Sequence, residues 1–118
     1  SFLISKILDA LKNIGAPSFL TVLKRFGKGN DAPLSFPIKG WTLAVDIPSK
    51  VSGLLDTLNA LDELVVNAGG RIYLAKDSRQ SSIMFKKSYL RYEEWKSQKK
   101  ILDPSNIFVS DLSRRLDI

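Results

Sequence analysis

The segment 69–79 constrains the fold of this chain more than any other stretch of its sequence. It begins with a glycine pair that ends the helical pattern before it. Through residues 71–76 apolar side chains then alternate with polar ones at the period of a β-strand. Asp77 or Ser78 follows, and either side chain can cap a helix. The segment therefore predicts a helix, a strand and a second helix in direct succession.

A lysine, Lys76, ends this predicted strand where the next helix would begin. A helix start offers backbone N–H groups to an anion, and an ammonium group beside them adds a full positive charge. Lysines at strand ends are also common as solvated surface residues. The spacing alone leaves both interpretations open.

The rest of the chain shows helical and strand periods in a simple order. The predicted elements are a helix from Leu3 to Ile14, strands over 19–26 and 41–47, a long amphipathic helix from Pro48-Ser49 to Gly69-Gly70, the strand 71–76, helices near 82–90 and 92–101, and a last helix from Ser110 or Asp111. This order predicts an α+β fold with a mostly antiparallel sheet that helices cover on one side.

Two of the strands have one face that could bind a ligand. Lys24 and Phe26 lie on the same face of the first strand, and Thr42 and Ala44 share the less apolar face of the second. If these faces coincide, they form one wall with a cation, an aromatic ring and space for a ligand. Alternatively, Phe26 is a core residue and Lys24 a solvated edge residue that discourages strand pairing.

Composition sets wider bounds. With 118 residues and 44% hydrophobic content, the chain can build one core and is expected to form one domain. Cysteine and histidine are absent. The residues given therefore hold no disulfide, and a zinc site or a self-contained hydrolase is not expected; no metal site is predicted. No apolar run approaches the roughly 20 residues of a membrane span. Because the sequence starts at Ser1 without methionine, we expect a fragment of a longer protein.

The net charge of +6 and the pI of about 9.7 predict an anionic partner, which could be nucleic acid, a lipid surface or a phosphorylated substrate. Positive charges are concentrated in the last third of the chain. They also fit an ordinary solvated helical face, because acidic residues are interspersed among them. These basic residues are Lys86, Lys87, Arg91, Lys96, Lys99, Lys100, Arg114 and Arg115.

Several separate motifs, in order, resemble one family. They are Lys24-Arg25-Phe26-Gly27, Pro33-Leu34-Ser35-Phe36-Pro37, Gly40-Trp41-Thr42-Leu43-Ala44-Val45-Asp46-Ile47-Pro48, the segment 69–79 with Ala75-Lys76-Asp77-Ser78-Arg79, the stretch 92–95, Asp103-Pro104 and 110–116. From about Phe19 onward the chain resembles the C-terminal part of the decaprenylphosphoryl-ribose oxidases, which are FAD-linked oxidases of the vanillyl-alcohol oxidase class. The resemblance implies that residues 1–118 are a substrate-binding cap domain fragment and that the FAD-binding domain lies upstream.

The same resemblance implies an activity. The whole enzyme would be an FAD-dependent oxidoreductase that oxidises the 2'-hydroxyl of a polyprenylphosphoryl ribose to a ketone for cell-wall arabinan synthesis. The fragment alone is expected to be inactive. The implied catalytic residue is Lys76, which contacts the reacting hydroxyl or the flavin edge, where a positive charge stabilises a developing alkoxide. Tyr73 lies at the active-site side and is implied to contact substrate and cofactor.

Four further residues are implied to bind the substrate. Lys24 anchors the sugar or the phosphate, and Phe26 packs against the sugar or the first prenyl carbons. Thr42 and Ala44 occupy positions where the mycobacterial members carry asparagine and cysteine, so the chain departs from them there. That departure removes a reactive thiol but no group that the flavin chemistry needs.

The implied partners are a polyprenyl-phosphate sugar, the upstream FAD domain and a short-chain reductase, with peripheral membrane contact and no nucleic acid. The compartment stays open between cytoplasmic and membrane-associated. Three alternatives remain: an FAD-dependent oxidase of another sugar or alcohol, a basic nucleic-acid-binding module in which Tyr73 is the plausible stacking ring, and a structural partner domain.

Overall fold

The computed structural model describes residues 2–118, which form five α-helices and one two-stranded antiparallel sheet. The α+β class predicted from the sequence is confirmed, as is the antiparallel sheet. In chain order the elements are α1 Phe2–Asn13, β1 Thr21–Phe26, β2 Gly40–Val45, α2 Leu54–Asn67, a 3-10 turn at Leu74–Lys76, α3 Ser82–Ser88, α4 Tyr92–Leu102 and α5 Asp111–Leu116. No helix within residues 2–118 is both long and apolar enough to cross a bilayer.

The fold divides into two compact units. The first unit is the chain up to Gly29 together with Pro37–Leu64, and the second unit is Asn30–Phe36 together with Val65–Ile118. The first unit therefore contains α1 and the sheet, and the second contains α3, α4 and α5.

Glycine ends α1 as the sequence predicts. Gly15 has a φ of 62°, and the N–H groups of Gly15 and Ala16 donate to the carbonyls of Lys12 and Leu11 at 2.9 and 3.0 Å. This pair of bonds satisfies carbonyls that the last helical turn would otherwise leave unpaired. The helix thus stops within a residue of its predicted end and releases the chain toward β1.

The long helix α2 starts later than predicted. Its first residue is Leu54, whereas the sequence pattern predicts a start at Pro48-Ser49. Turn-like bonds occupy the intervening residues, in which the Val51 N–H donates to the Pro48 carbonyl at 3.3 Å and Gly53 has a φ of 71°. A left-handed residue interrupts helical hydrogen bonding, so the helix can propagate only beyond it. The far end of α2 matches the prediction, because Gly69 has a φ of 78°.

The core of the second unit is a small cluster of three fully buried side chains. Phe85 and Leu116 are 0% exposed and Tyr89 is 1% exposed. Leu34, Leu74, Tyr92, Leu112 and Ile118 pack around them. Helix α3 supplies Phe85, the residue that follows its last turn is Tyr89, and α5 supplies Leu116. Ser81 and Ser110 cap the two helices by accepting bonds from the Met84 and Ser113 N–H groups. The core therefore holds both helices beside the segment that carries Lys76.

The predicted strand over residues 71–76 is wrong. This segment enters extended, with Tyr73 at φ −76° and ψ 111°, and then closes into the 3-10 turn Leu74–Lys76. Its alternating pattern still has a physical cause, because Leu74 packs against the core while Tyr73 points its ring into a more exposed position. Period-two burial arises in any extended segment that lies on a core, and it does not require a strand partner.

Candidate functional site

The β-hairpin of the first unit brings four of the predicted site residues onto one face. In its register Lys24 pairs with Thr42, Val22 with Ala44 and Phe26 with Gly40. Paired residues on antiparallel strands project from the same side of the sheet. The two strand faces that could bind a ligand therefore coincide, as the sequence analysis required for a single wall.

The chemistry of this face is a cation surrounded by small and apolar groups. Lys24 is exposed, and Phe26, Thr42 and Ala44 are half-buried. An exposed ammonium can donate charge-assisted hydrogen bonds to a phosphate or a sugar oxygen. The small side chain of Ala44 leaves room on the sheet, and the hydroxyl of Thr42 adds one polar group. The arrangement suits a phosphorylated ligand with an apolar part.

The opposite face of the hairpin is only partly covered by other side chains. Leu43 and Val45 are half-buried, but Trp41 is 52% exposed and Leu23 is 49% exposed. The Arg25 guanidinium lies 5.7 Å from the Trp41 ring centre. This cation–π contact covers part of the ring in place of an apolar neighbour.

The first unit also has a shallow cavity that the sequence did not predict. It has a volume of about 280 Å³ and is lined at one end by Thr21 and Val45, which are paired across the hairpin. The end of α1, with Leu8, Leu11 and Lys12, and the segment 15–18 that follows it form the rest of its wall. The helix therefore lies beside the hairpin face that does not carry Lys24.

The second unit holds the other two predicted residues, Tyr73 and Lys76. The Lys76 N–H donates to the Tyr73 carbonyl at 3.2 Å, so the 3-10 turn places Lys76 one turn beyond Tyr73. Lys76 is exposed, and Tyr73 is 46% exposed with its ring centre 4.9 Å from that of Phe36. An accessible ammonium and a braced phenol ring are thus presented by one short turn.

The expected helix start beside Lys76 is not observed. Helix α3 begins at Ser82, and Ser81 rather than Asp77 or Ser78 is its capping residue. Asp77 instead closes a loop, in which its Oδ1 accepts bonds from the Arg79 and Gln80 N–H groups at 3.1 and 2.9 Å. Any anion at Lys76 would therefore be held by the ammonium group and not by a helix N-terminus.

The chain before Lys76 is anchored to the core. The Arg71 Nη1 donates to the Ser35 carbonyl at 2.5 Å, and the Tyr89 hydroxyl donates to the Ile72 carbonyl at 2.8 Å. Burial raises the pKa of Tyr89 to about 12, and the nearby positive charge of Arg71 offsets part of that rise. The Tyr89 hydroxyl consequently keeps its proton, and this hydrogen bond, throughout the neutral range.

The raised pKa of Tyr89 predicts a pH dependence of stability. The native state favours the protonated phenol, so its contribution is complete below the ordinary pKa of 10.0 and is lost as the pH rises toward about 12. Tyr89→Phe should lower the free energy of unfolding by about 1 kcal/mol at pH 7, because it removes one hydrogen bond. Between pH 10 and about 12 the variant should lose less stability than the parent. Urea unfolding at a series of pH values measures both effects, and equal losses in parent and variant would contradict the assignment.

The chain after Lys76 is held by a residue that the sequence left without a role. Arg115 Nη1 lies 2.9 Å from Asp77 Oδ2, and the same guanidinium donates to the Gln80 carbonyl at 2.5 Å and to the Asp77 carbonyl at 3.2 Å. The Asp77 side chain is 3% exposed and that of Arg115 27% exposed. The only signal for this pair in the sequence is the opposite charge of Asp77 and Arg115, and no local rule links two residues so far apart in the chain.

Comparison with known proteins finds a relative of the kind that the motifs resemble. Over 112 residues, 95% of the chain, it is 46% identical to the decaprenylphosphoryl-beta-D-ribose oxidase of Mycolicibacterium smegmatis. Over 97 residues it is 42% identical to an uncharacterised protein in the mprA 5' region of Streptomyces coelicolor, covering 82% of the chain. No family model matches. The chain spans 24% and 26% of the lengths of these relatives. The resemblance found in the sequence is confirmed for the part that the chain covers.

Proposed function

We propose that this chain is the substrate-binding part of an FAD-dependent oxidoreductase that oxidises the 2'-hydroxyl of a polyprenylphosphoryl ribose to a ketone. The observation that carries the proposal is the 46% identity to an oxidase named for decaprenylphosphoryl ribose, over 95% of the chain. Its support in the structure is that the motif lysine, Lys76, lies exposed on an anchored turn beside Tyr73. A lysine with no role beyond surface charge would not need a turn that is held on both sides.

The second unit presents groups whose chemistry fits a flavin and an alcohol. The exposed ammonium of Lys76 can face an electron-rich ring edge or an oxygen, and the Tyr73 ring offers a partly exposed aromatic surface to a planar group. FAD, when bound, would supply the two-electron acceptor for alcohol oxidation. The main FAD-binding contacts are proposed to come from the longer protein.

Lys76 has the central role in this proposal. As the 2'-hydroxyl loses its proton, negative charge develops on the oxygen, and a fixed positive charge near it lowers the barrier. The 3-10 turn and the packing of the partly buried Leu74 against the core hold the backbone of Lys76, so little backbone reorganisation is needed when the substrate arrives. Tyr73 contacts the substrate or the cofactor on the same side of the turn.

The hairpin face of the first unit binds the substrate in this proposal. Lys24 pairs with a phosphate or sugar oxygen, and Phe26 packs against the sugar or the first prenyl carbons. Thr42 lies directly opposite Lys24 and Ala44 opposite Val22, so both adjust the space and polarity around the lysine. These assignments are the ones that the family resemblance implies, and the position of all four residues on one face supports them.

The site of oxidation can be tested with a matched pair of substrates. The full-length protein, purified with its flavin, is incubated with a polyprenylphosphoryl ribose or its 2'-deoxy analogue, and a ketone product is trapped as an oxime and identified by mass spectrometry. We expect a single oxime from the ribose compound and none from the analogue. A ketone from the 2'-deoxy compound would contradict the assignment, and oxidation of a different sugar or alcohol alone would show a related oxidase with another substrate.

A further inference from the structure

The loop directly after Lys76 is fixed by one guanidinium group from the far end of the second unit. Arg115, in α5, lies 2.9 Å from the Asp77 carboxylate and donates to two backbone carbonyls of the loop, those of Asp77 and Gln80. All three acceptors belong to the stretch 77–80. One side chain thus ties α5 to the residues that follow Lys76.

The remaining oxygen of Asp77 restrains the same loop from within. Its Oδ1 accepts the Arg79 and Gln80 N–H groups, while Oδ2 faces Arg115. A nearly buried carboxylate that loses its cationic partner is left with an uncompensated charge, which is strongly unfavourable. Because Arg115 also donates to two carbonyls, the intact pair restrains the loop at several points.

Lys76 lies between two restraints. On its N-terminal side Tyr89 and Arg71 hold residues 71–72, and on its C-terminal side the Asp77–Arg115 pair holds the next residue in the chain. The Asp77 N–H also donates to the Leu74 carbonyl at 3.3 Å, which closes the 3-10 turn. Loss of the pair would release one end of that turn and leave the other end anchored.

We propose that Arg115 is a positioning residue that acts through Asp77 to hold Lys76 in its working orientation. The proposal rests on the catalytic role of Lys76 given above. The guanidinium suits this task because it is always charged and presents several N–H donors in a rigid plane. A lysine keeps the charge but cannot reproduce the planar set of bonds to one carboxylate and two carbonyls.

The neighbouring Arg114 provides a matched control. It lies on the same helix and carries the same charge, but its side chain is 60% exposed and pairs with Asp111 one turn earlier. Arg114→Gln and Arg115→Gln therefore change the net charge and the helix composition equally. Only the second removes contacts with the loop that follows Lys76.

The kinetic test uses the full-length flavin-loaded protein with a polyprenylphosphoryl ribose as substrate. We expect Arg115→Gln to lower kcat about tenfold or more with a smaller change in KM, Arg115→Lys to recover part of the loss, and Arg114→Gln to stay within about twofold of the parent. In a Lys76→Ala background, Arg115→Gln should add little further loss, because both act on the same group. Equal losses from both arginines, or full additivity with Lys76→Ala, would overturn the proposal.

A second readout does not depend on the enzyme's substrate. The amides of Arg79 and Gln80, which donate to Asp77, should exchange with deuterium about tenfold faster in Arg115→Gln than in Arg114→Gln. Unchanged exchange in Arg115→Gln would refute the restraint itself. A third outcome is faster exchange confined to this loop in a protein that oxidises no polyprenylphosphoryl ribose. That result would support the restraint but reject the proposed function, and it would also reject the positioning role in catalysis.

Discussion

Replacing Lys76 by alanine is expected to lower kcat by roughly 100- to 1,000-fold, the usual loss when one group that stabilises developing negative charge is removed. The substitution deletes the only charge that the 3-10 turn presents and leaves the turn's backbone bonds in place. KM should change less than kcat, because in the proposed role the interaction of Lys76 with the substrate oxygen strengthens as the proton departs. Stopped-flow measurement of flavin reduction in the full-length protein gives the rate directly.

Lys87→Ala is a suitable control for this variant. Lys87 is also an exposed lysine of the second unit, on α3, so its removal changes the net charge by the same amount. Its rate should match that of the parent to within about twofold, as expected for an exposed side chain outside the proposed site. If both lysine variants slow the reaction equally, the loss reflects overall charge, and the role assigned to Lys76 is refuted.

Phe85→Ala is expected to lower the free energy of unfolding of the second unit by about 3–5 kcal/mol. Phe85 is 0% exposed, and its ring centre lies 5.3 Å from that of Tyr89 and 5.8 Å from that of Tyr92. The substitution removes apolar contact area and leaves a cavity at the centre of the cluster that supports Leu74. Since Leu74 begins the 3-10 turn, activity should also fall as this core loosens.

Ile83→Ala on the same helix provides the comparison for Phe85→Ala. Ile83 is 65% exposed, so its loss should change the free energy of unfolding by no more than about 0.5 kcal/mol. Thermal unfolding followed by circular dichroism compares the parent and both variants. Similar melting temperatures for Phe85→Ala and the parent would show that the cluster of Phe85, Tyr89 and Leu116 is not the main core of this unit.

The two strands of the hairpin could be predicted from the sequence because their signals are local. Alternating apolar residues set the two faces, and antiparallel pairing then determined which residues share a face. The register that places Lys24 opposite Thr42 follows from the pairing observed in the structure and could not be read from either strand alone. The α1 and α2 ends were also predictable, since Gly15 and Gly69 adopt the positive φ that ends a helix.

The surroundings of Lys76 could not be predicted in the same way. The segment 71–76 alternates like a strand, but its Ile72 carbonyl accepts from the Tyr89 hydroxyl, its Arg71 side chain donates to the Ser35 carbonyl, and its end closes into a 3-10 turn. Asp77 looks like a helix cap in sequence, and tertiary contact with Arg115 gives it a different task. The contacts of Tyr89 with Ile72 and of Arg115 with Asp77 join residues distant in the chain, which propensity and period do not report.

The most direct test of the central claim is an anaerobic titration of the full-length, flavin-loaded protein with a polyprenylphosphoryl ribose, followed by the flavin absorbance. If the chain is part of an oxidase for this substrate, the oxidised flavin band should bleach in proportion to the substrate added, and the 2'-deoxy compound should leave it unchanged. A flavin that stays oxidised at saturating substrate would contradict the proposed substrate. A full-length protein that binds no flavin would contradict the oxidase assignment itself.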